Sequence, residues 1–359
     1  MPRPIIATIF TDAIAHNIKR AQQVSGAKVW ATIKANGYGH GIERIFKGLK
    51  NADGLAMLDF DEAQRVRDLG WTKPILMLEG GFEMADYLLA HQLDLTMVIH
   101  CPEQITWLEQ AALPKPIDIY LKMNSGMNRV GFAPEVYGDA YRCLKGMPSV
   151  GQVTLMTHFA NADLKDGVHE AMNRFNSATS PLMLGSPHLQ RSCSNSAATL
   201  AHPEAHFDWV RPGIMIYGGS PFATQTAAEC DLQAAMSLES AVIAIQNIKQ
   251  GDAVGYGSKF VAPSDMTIAV VACGYADGYP RHAPTGTPVL VGGVRTRLVG
   301  RVSMDMLMVD VTGIANVQVG TAVELWGQHI AIDDVAQASE TIGYELMCAL
   351  ALRVPVRIA

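Results

Sequence analysis

The residues best placed to do chemistry sit in one short segment. Residues 31–41 read Ala-Thr-Ile-Lys-Ala-Asn-Gly-Tyr-Gly-His-Gly. An apolar run delivers Lys34 into a loop that contains Gly37, Gly39 and Gly41. Glycines let a backbone approach a ligand closely. A lysine desolvated at such a place has a lowered pKa, and its free amine can form a Schiff base. The plainer alternative is a lysine that snorkels off a strand end. A phosphate-binding P-loop is excluded, because the Walker spacing and its Gly-Lys-Ser/Thr ending are missing.

Other reactive residue types recur at intervals, each at the exit of an apolar run. In order they are Lys34, Asp59, Glu79, His100, Lys122, His158, the Ser194-Asn195 pair and Arg211. The runs they follow are Val29–Ile33, Leu55–Leu58, Ile75–Leu78, Leu95–Ile99, Ile117–Leu121, Val153–Thr157, His188–Gln190 and Val210–Tyr217. Each has strand length, and several are apolar throughout, as strands buried on both faces are. Helical stretches fit between them: Asp12–Gln22, Gly41–Gly48, Phe60–Asp68, Glu83–His91, Pro102–Ala112, Pro134–Leu144, Val168–Ala178 and Ala197–Ala201. Eight such units point to a (β/α)8 barrel, with a doubly wound open sheet as the alternative. In a barrel all eight strand exits share the rim that carries the chemistry.

The pattern changes near residue 225. Gly218–Asp231 reads as a linker. Closely spaced β-rich runs follow, at 241–248, 268–272, 289–291, 297–299, 307–311 and 323–326, with Gly and Pro between them. They predict a mainly antiparallel β domain. Short helices are expected at 333–338 and 344–350.

The 359 residues allow two domains or a barrel with an appendage. Hydrophobic residues make up 49% and net charge is only −6, which excludes bulk disorder. No basic block marks a nucleic-acid partner, and no apolar run is long enough to span a membrane. The apolar patch at Ile5–Phe10 is too short for a signal-peptide core. Cysteines 101, 143, 193, 230, 273 and 348 are scattered, so free thiols, no metal site and a cytoplasmic location are expected.

Several motifs, in order along nearly the whole chain, resemble those of alanine racemases. They start with the Lys34 segment, then Lys122-Met-Asn-Ser-Gly-Met-Asn-Arg129, Thr157-His158-Phe159-Ala160, and Asn195-Ser196-Ala197-Ala198. Arg211-Pro212-Gly213-Ile214, Tyr217-Gly218 and Val254-Gly255-Tyr256-Gly257 continue the series. Gly274-Tyr275-Ala276-Asp277-Gly278, Gly300 to Met306, and Gly343-Tyr344-Glu345 complete it. The resemblance implies a barrel over 11–225 and a β domain over 226–359, with an N-terminal strand in 1–10 joining the second. It also implies pyridoxal 5'-phosphate covalent on Lys34, alanine as substrate, and a head-to-tail homodimer with shared active sites.

Racemisation breaks a Cα–H bond and returns the proton from the opposite face, so two bases are the minimum. The resemblance makes Lys34 one base and Tyr256, from the other subunit, the second. A free tyrosine is a poor base at neutral pH, and His158 and Arg211 are implied as the supporting network. Arg211 is implied to face the cofactor's pyridine nitrogen. Its alternative is a salt-bridged strand-end arginine. Tyr38, Ser196, Gly213, Ile214 and Tyr344 are implied as phosphate contacts; Ser196 otherwise reads as a plain helix cap.

Arg129 and Met304 are implied to hold the substrate carboxylate, with Tyr275 and Tyr344 narrowing the entrance. Lys122 matches a lysine that is carbamylated in many members. Asn124 departs from the pattern, since many members carry Asp there. A pyridoxal racemase of another amino acid, a decarboxylase on the same barrel, and a non-catalytic cofactor carrier are the alternatives. Arg211, Tyr256 and the second domain argue against the last two. The product would supply peptidoglycan or the reverse reaction would serve alanine catabolism.

Overall fold

The computed structural model describes residues 3–359. Positions 1 and 2 of the expected N-terminal strand lie outside the described residues. Strand β1, Ile6–Ile9, comes first and belongs to the second sheet described below. Strands β2 (Lys28–Thr32), β3 (Gly54–Met57), β4 (Ile75–Met77), β5 (Thr96–Ile99), β6 (Ile117–Lys122) and β7 (Val150–Met156) pair in sequence, all parallel. Strand β8 (Arg191–Ser192) pairs with β7, and β9 (Trp209–Val210) pairs with β2. The last seam, between β8 and β9, closes by single bonds. Arg211 N–H donates to Ser194 O at 2.8 Å, and Ser192 Oγ donates to Trp209 O at 2.8 Å. The result is the (β/α)8 barrel.

Alternation along the strands separates two cores. Trp30, Ala56, Leu76, Val98, Tyr120, Met156 and Trp209 form one buried cluster inside the barrel. Their neighbours, such as Leu55, Met57, Ile75 and Met77, join the larger core beneath the helices. Successive strand side chains point to opposite faces, so one apolar run serves both. The Trp30 indole stacks on Trp209 with centroids 4.4 Å apart and donates to Tyr120 Oη at 2.9 Å. This plug fixes the barrel interior under the rim.

The helix Phe60–Asp68 has the bounds the pattern predicts, because Asp59 caps it by accepting the Asp61 N–H at 2.8 Å. Other expectations need correction. The 41–48 helix is only Ile42–Ile45, followed by a 3-10 turn at Gly48–Asn51. The 168–178 helix runs from His169 to Gly185. The seventh barrel strand is Arg191–Ser192, not 188–190. The apolar run 210–217 is not one strand. Pro212 has no N–H to continue the ladder, and after Gly213 the chain enters a 3-10 turn, Ile214–Tyr217.

The second sheet has eight strands, and all but one of its pairings are antiparallel. They comprise β1, β10 (Met236–Ile248), β13 (Met266–Val271), β14 (Pro288–Val291), β15 (Val294–Val299), β16 (Leu307–Asp310), β17 (Ala322–Trp326) and β18 (Val356–Ile358). A separate pair, β11 (Ala253–Val254) and β12 (Phe260–Val261), flanks the turn that holds Tyr256. β1 lies between β10 and β18, parallel to β18. The last strand was not anticipated. It is three residues long, and its residues are mostly exposed.

Candidate active site

Lys34 follows β2 after one residue, Ile33. The next five residues, Ala35 to Gly39, all have positive φ, between 50° and 78°. Three of them are not glycine, and each L-residue held this way costs about 1–2 kcal/mol. Local bonds hold the turn. Gly37 N–H donates to Ile33 O at 2.8 Å and Gly39 N–H to Ala35 O at 3.0 Å. The Asn36 N–H donates to Glu62 Oε1 at 2.5 Å. The Tyr38 ring stacks on Tyr217 with centroids 4.6 Å apart. His40 Nδ1 lies 3.0 Å from the carbonyl oxygens of Gly37 and Tyr38, so it carries the ring proton. Burial lowers His40 to about 4, leaving it neutral at pH 7. Gly39 is required by space as well, since a Cβ there would lie 2.2 Å from Met347 O.

Lys34 opens onto a cavity of about 530 Å³ at the rim. Its wall also includes Tyr38, Lys122, Arg129, His158, Ser196, Arg211, Gly213 and Tyr344. The cavity therefore gathers nine of the residues implied as site residues from the sequence. Ile214 is fully buried next to Gly213. Asp59 is a helix cap, and Glu79 lines the cavity close to the cations.

Burial perturbs two of the cations, Lys122 and Arg211. Lys122 is 6% exposed, and burial with Arg211 and Arg129 nearby brings it down to about 7. Burial lowers Arg211 to about 10, still charged at neutral pH. Its guanidinium donates to Ser192 Oγ at 2.6 Å, Thr157 O at 2.7 Å and Cys193 O at 3.2 Å. It also faces His158 Nδ1 at 3.4 Å. An arginine can only donate, so His158 Nδ1 accepts and its proton sits on Nε2. Burial, then Arg211, Lys122 and two further cations, hold His158 well below its ordinary pKa. The oxygens around Arg211 belong to carbonyls and a hydroxyl. A salt-bridged strand-end arginine is not what these residues build.

Arg129 leaves a turn shaped by Asn124. Asn124 Oδ1 accepts the N–H groups of Gly126 at 3.1 Å and Asn128 at 3.0 Å. Its Nδ2 donates to Asn128 Oδ1 at 3.0 Å, a bond that an aspartate could not make. Ser125 Oγ and Thr157 Oγ1 are 2.6 Å apart beneath, and Thr157 Oγ1 donates to Met123 O at 3.0 Å. The same Thr157 gives its carbonyl to Arg211, so the two arginines share one support.

Residues 9–221 match the family described as the alanine racemase N-terminal domain, and residues 235–358 match the alanine racemase C-terminal domain. The chain belongs to the alanine racemase family. It is 54% identical to an alanine racemase of Burkholderia mallei over 359 residues, 99% of each chain. An alanine racemase of Paraburkholderia phytofirmans is also 54% identical over 99% of both. A crystal structure of biosynthetic alanine racemase from Pseudomonas aeruginosa superposes with a TM-score of 0.93 at 44% identity, covering 99% of each chain. The alanine racemase from Acinetobacter baumannii gives 0.93 at 38% identity, covering 99% of this chain and all of that one.

Alanine racemases depend on pyridoxal 5'-phosphate, and this cavity fits it. An amine, two hydroxyl-bearing tyrosines, a serine and a permanent cation share one space. Gly213 leaves a cradle open, because a Cβ there would lie 2.5 Å from Tyr38 Oη. Ser196 Oγ accepts the Gly213 N–H at 2.8 Å, which ties the hydroxyl to that same cradle. Burial pushes Tyr344 up to about 12, so it is a neutral donor at physiological pH.

Three expected site residues are elsewhere. Tyr256, Met304 and Tyr275 lie on second-domain loops and are 72%, 53% and 38% exposed. One chain does not bring them into the cavity. The cavity also includes Asp163 and Cys348, which the sequence reading missed. Cys348 had a signal: it stands four residues after Tyr344, on the same helical face. Glu62 had none, because its partner Asn36 lies on a separate element.

Proposed function

We propose that this protein interconverts L- and D-alanine, using Lys34 of one chain and Tyr256 of a second copy as the two proton carriers. The observation that carries the proposal is the content of one cavity. An amine on a held left-handed turn shares it with a buried guanidinium whose partners are carbonyls, a hydroxyl and an imidazole. The exposure of Tyr256 and Met304 supports a homodimer with shared sites, since both are free to reach another chain's cavity.

Lys34 would hold the cofactor through its amine, with Tyr38, Ser196, Gly213, Ile214 and Tyr344 around its phosphate. When bound, the cofactor supplies an electron sink that makes the α-proton removable. Arg211 would face the ring nitrogen as a donor, so that nitrogen takes no proton. Arg211 would thereby favour return of the proton to the same carbon over transamination. Tyr256 takes the proton from L-alanine and Lys34 takes it from D-alanine. Neutral His158 keeps an Nε2–H to donate toward a phenolate.

Arg129 and the partner copy's Met304 loop would hold the substrate carboxylate. Lys122, brought to about 7, is a competent amine for carbon dioxide at neutral pH. Its attack on carbon dioxide forms an N–C bond and releases a proton. The resulting carbamate would be an anion among Arg129, Arg211 and Lys34. Tyr275 and Tyr344 would narrow the entrance to a one-carbon side chain.

Residues 11–225 are assigned to the barrel and 226–359, with the N-terminal strand, to the second unit. The likeness to a biosynthetic alanine racemase supports supply of D-alanine for peptidoglycan over catabolism. All six cysteines are free, which supports a reducing, cytoplasmic location. Among the described residues no helix is long and apolar enough to cross a membrane. The test is racemisation of a panel of L-amino acids followed by circular dichroism. Alanine turns over best if the proposal holds; equal or better turnover of a larger amino acid overturns it.

A further inference from the structure

The loops that carry Tyr275 and Met304 are zipped together. Tyr275 N–H donates to Ser303 O and Ala276 N–H to Met304 O, both at 3.0 Å. Gly274 lets them touch, because a Cβ there would sit 2.4 Å from both carbonyl oxygens. Under this zipper lies Asp277, whose side chain is fully buried.

Four N–H groups converge on that carboxylate. Arg3 donates at 2.8 and 3.1 Å, Arg353 Nε at 2.8 Å, and the Gly274 N–H at 2.9 Å. Both arginines then reach past it to the residue after Met304. Arg353 donates to Asp305 Oδ1 at 2.7 Å, and Arg3 to Asp305 O at 2.7 Å. Burial alone would raise the Asp277 pKa, but the two arginines overcome it and hold the group below its ordinary value. Residues from both ends of the chain thus close on one carboxylate. This clamp's contacts with the Gly274 N–H and with both the side chain and the carbonyl of Asp305 fall on the two zipped loops. The clamp acts on the loops.

We propose that Asp277, gripped by Arg3 and Arg353, is a positioning residue for substrate binding in the cavity of a second copy. It fixes Met304 and Tyr275 as one unit, and it acts across the subunit boundary. This rests on the shared-site reading above. Asp277 touches neither substrate nor cofactor.

The test uses Asp277→Asn, which keeps shape and removes charge. In the homodimer, KM for L-alanine rises about tenfold or more, kcat changes by less than about threefold, and cofactor absorbance is unchanged. Heterodimers then assign the chain. A Lys34→Ala chain paired with an Asp277→Asn chain keeps one working site. That site takes its Lys34 from the Asp277→Asn chain and its loops, intact, from the other. Its KM is that of the unaltered enzyme. Placing both changes in one chain opposite an unaltered chain gives the raised KM. If KM instead follows the chain that supplies Lys34, Asp277 acts within its own chain and the proposal is wrong.

A control pairs Lys34→Ala with Tyr256→Phe. Recovered activity shows a shared site, while no recovery overturns the shared-site reading and this one with it. Arg353→Gln, at a partly exposed residue, gives a smaller rise in KM by the same route and serves if Asp277→Asn does not fold. No rise in KM with a folded Arg353→Gln and a folded Asp277→Asn overturns the proposal.

Discussion

The barrel rim and the second-domain loops handle the side chains proposed for the site in opposite ways. At the rim, Lys122 and Arg211 are 6% and 4% exposed, and burial shifts both pKa values. On the loops, Tyr256 and Met304 are mostly in solvent, while the backbone that carries Met304 is clamped from below. The rim is organised within one chain: Arg211 already has its acceptors, and Lys122 and Arg211 are already desolvated. The loops are shaped but uncovered. A group aimed at solvent has little reason to be held so firmly unless something else arrives to meet it.

The largest expected effects test this contrast directly. Lys34→Ala removes a rim group and abolishes racemisation in both directions, by more than about ten-thousandfold. Reduction with borohydride then no longer fixes the cofactor to the protein. Tyr256→Phe removes a loop group and slows loss of the α-proton from L-alanine by about a hundred- to ten-thousandfold. Cofactor affinity stays unchanged, since Tyr256 is not one of the residues that would hold the cofactor. Equal loss of cofactor and activity in Tyr256→Phe would erase the contrast and make that tyrosine structural.

The rim was far more legible in sequence than the loops. Lys34, Lys122 and His158 each follow an apolar run, Arg211 stands at the start of the last one, and a barrel places such positions together. The helix Phe60–Asp68 was readable because its cap, Asp59, precedes it directly. Long-range features were not readable. The Arg3–Asp277 pair joins residues 274 positions apart, with no local pattern to announce it. Tyr256 stood out only through motif resemblance, because an aromatic in a glycine-rich turn has no partner in its own chain to argue from. The run 210–217 misled for a physical reason. It is apolar because it is buried, and burial alone does not make a strand.

The next effect, a moderate one, concerns the most perturbed rim cation. Lys122 titrates near 7 when folded but near the ordinary value of about 10.4 when unfolded. Between those values the unfolded chain binds the extra proton, so stability rises with pH. Melting temperature in buffer free of carbon dioxide therefore climbs from pH 7 toward pH 9, and Lys122→Met flattens the slope. Bicarbonate at fixed pH 8 raises the melting temperature of the unaltered protein and leaves Lys122→Met where it was. If bicarbonate has no effect on either, Lys122 is a buried amine and not a carbamate.

The smallest effect separates charge from shape at the Lys34 turn. Glu62 accepts the Asn36 N–H through Oε1, while its buried Oε2 has no partner. Burial raises the Glu62 pKa, and Asp59 adds to the rise against the bond from Asn36. The folded carboxyl thus holds its proton to higher pH than the unfolded one, and stability falls as pH rises through that window. Glu62→Gln keeps an oxygen for Asn36 and removes the charge. It abolishes that pH slope, leaves stability at pH 7 equal or slightly higher, and changes kcat by less than about threefold, since a neutral acceptor still pins the turn. Glu62→Ala leaves the Asn36 N–H without its acceptor, at about 1–3 kcal/mol. It loosens a turn that three non-glycine residues already strain. A Glu62→Gln variant as damaged as Glu62→Ala would mean that the rim needs the charge itself, and that its turn is held by electrostatics rather than by one well-placed acceptor.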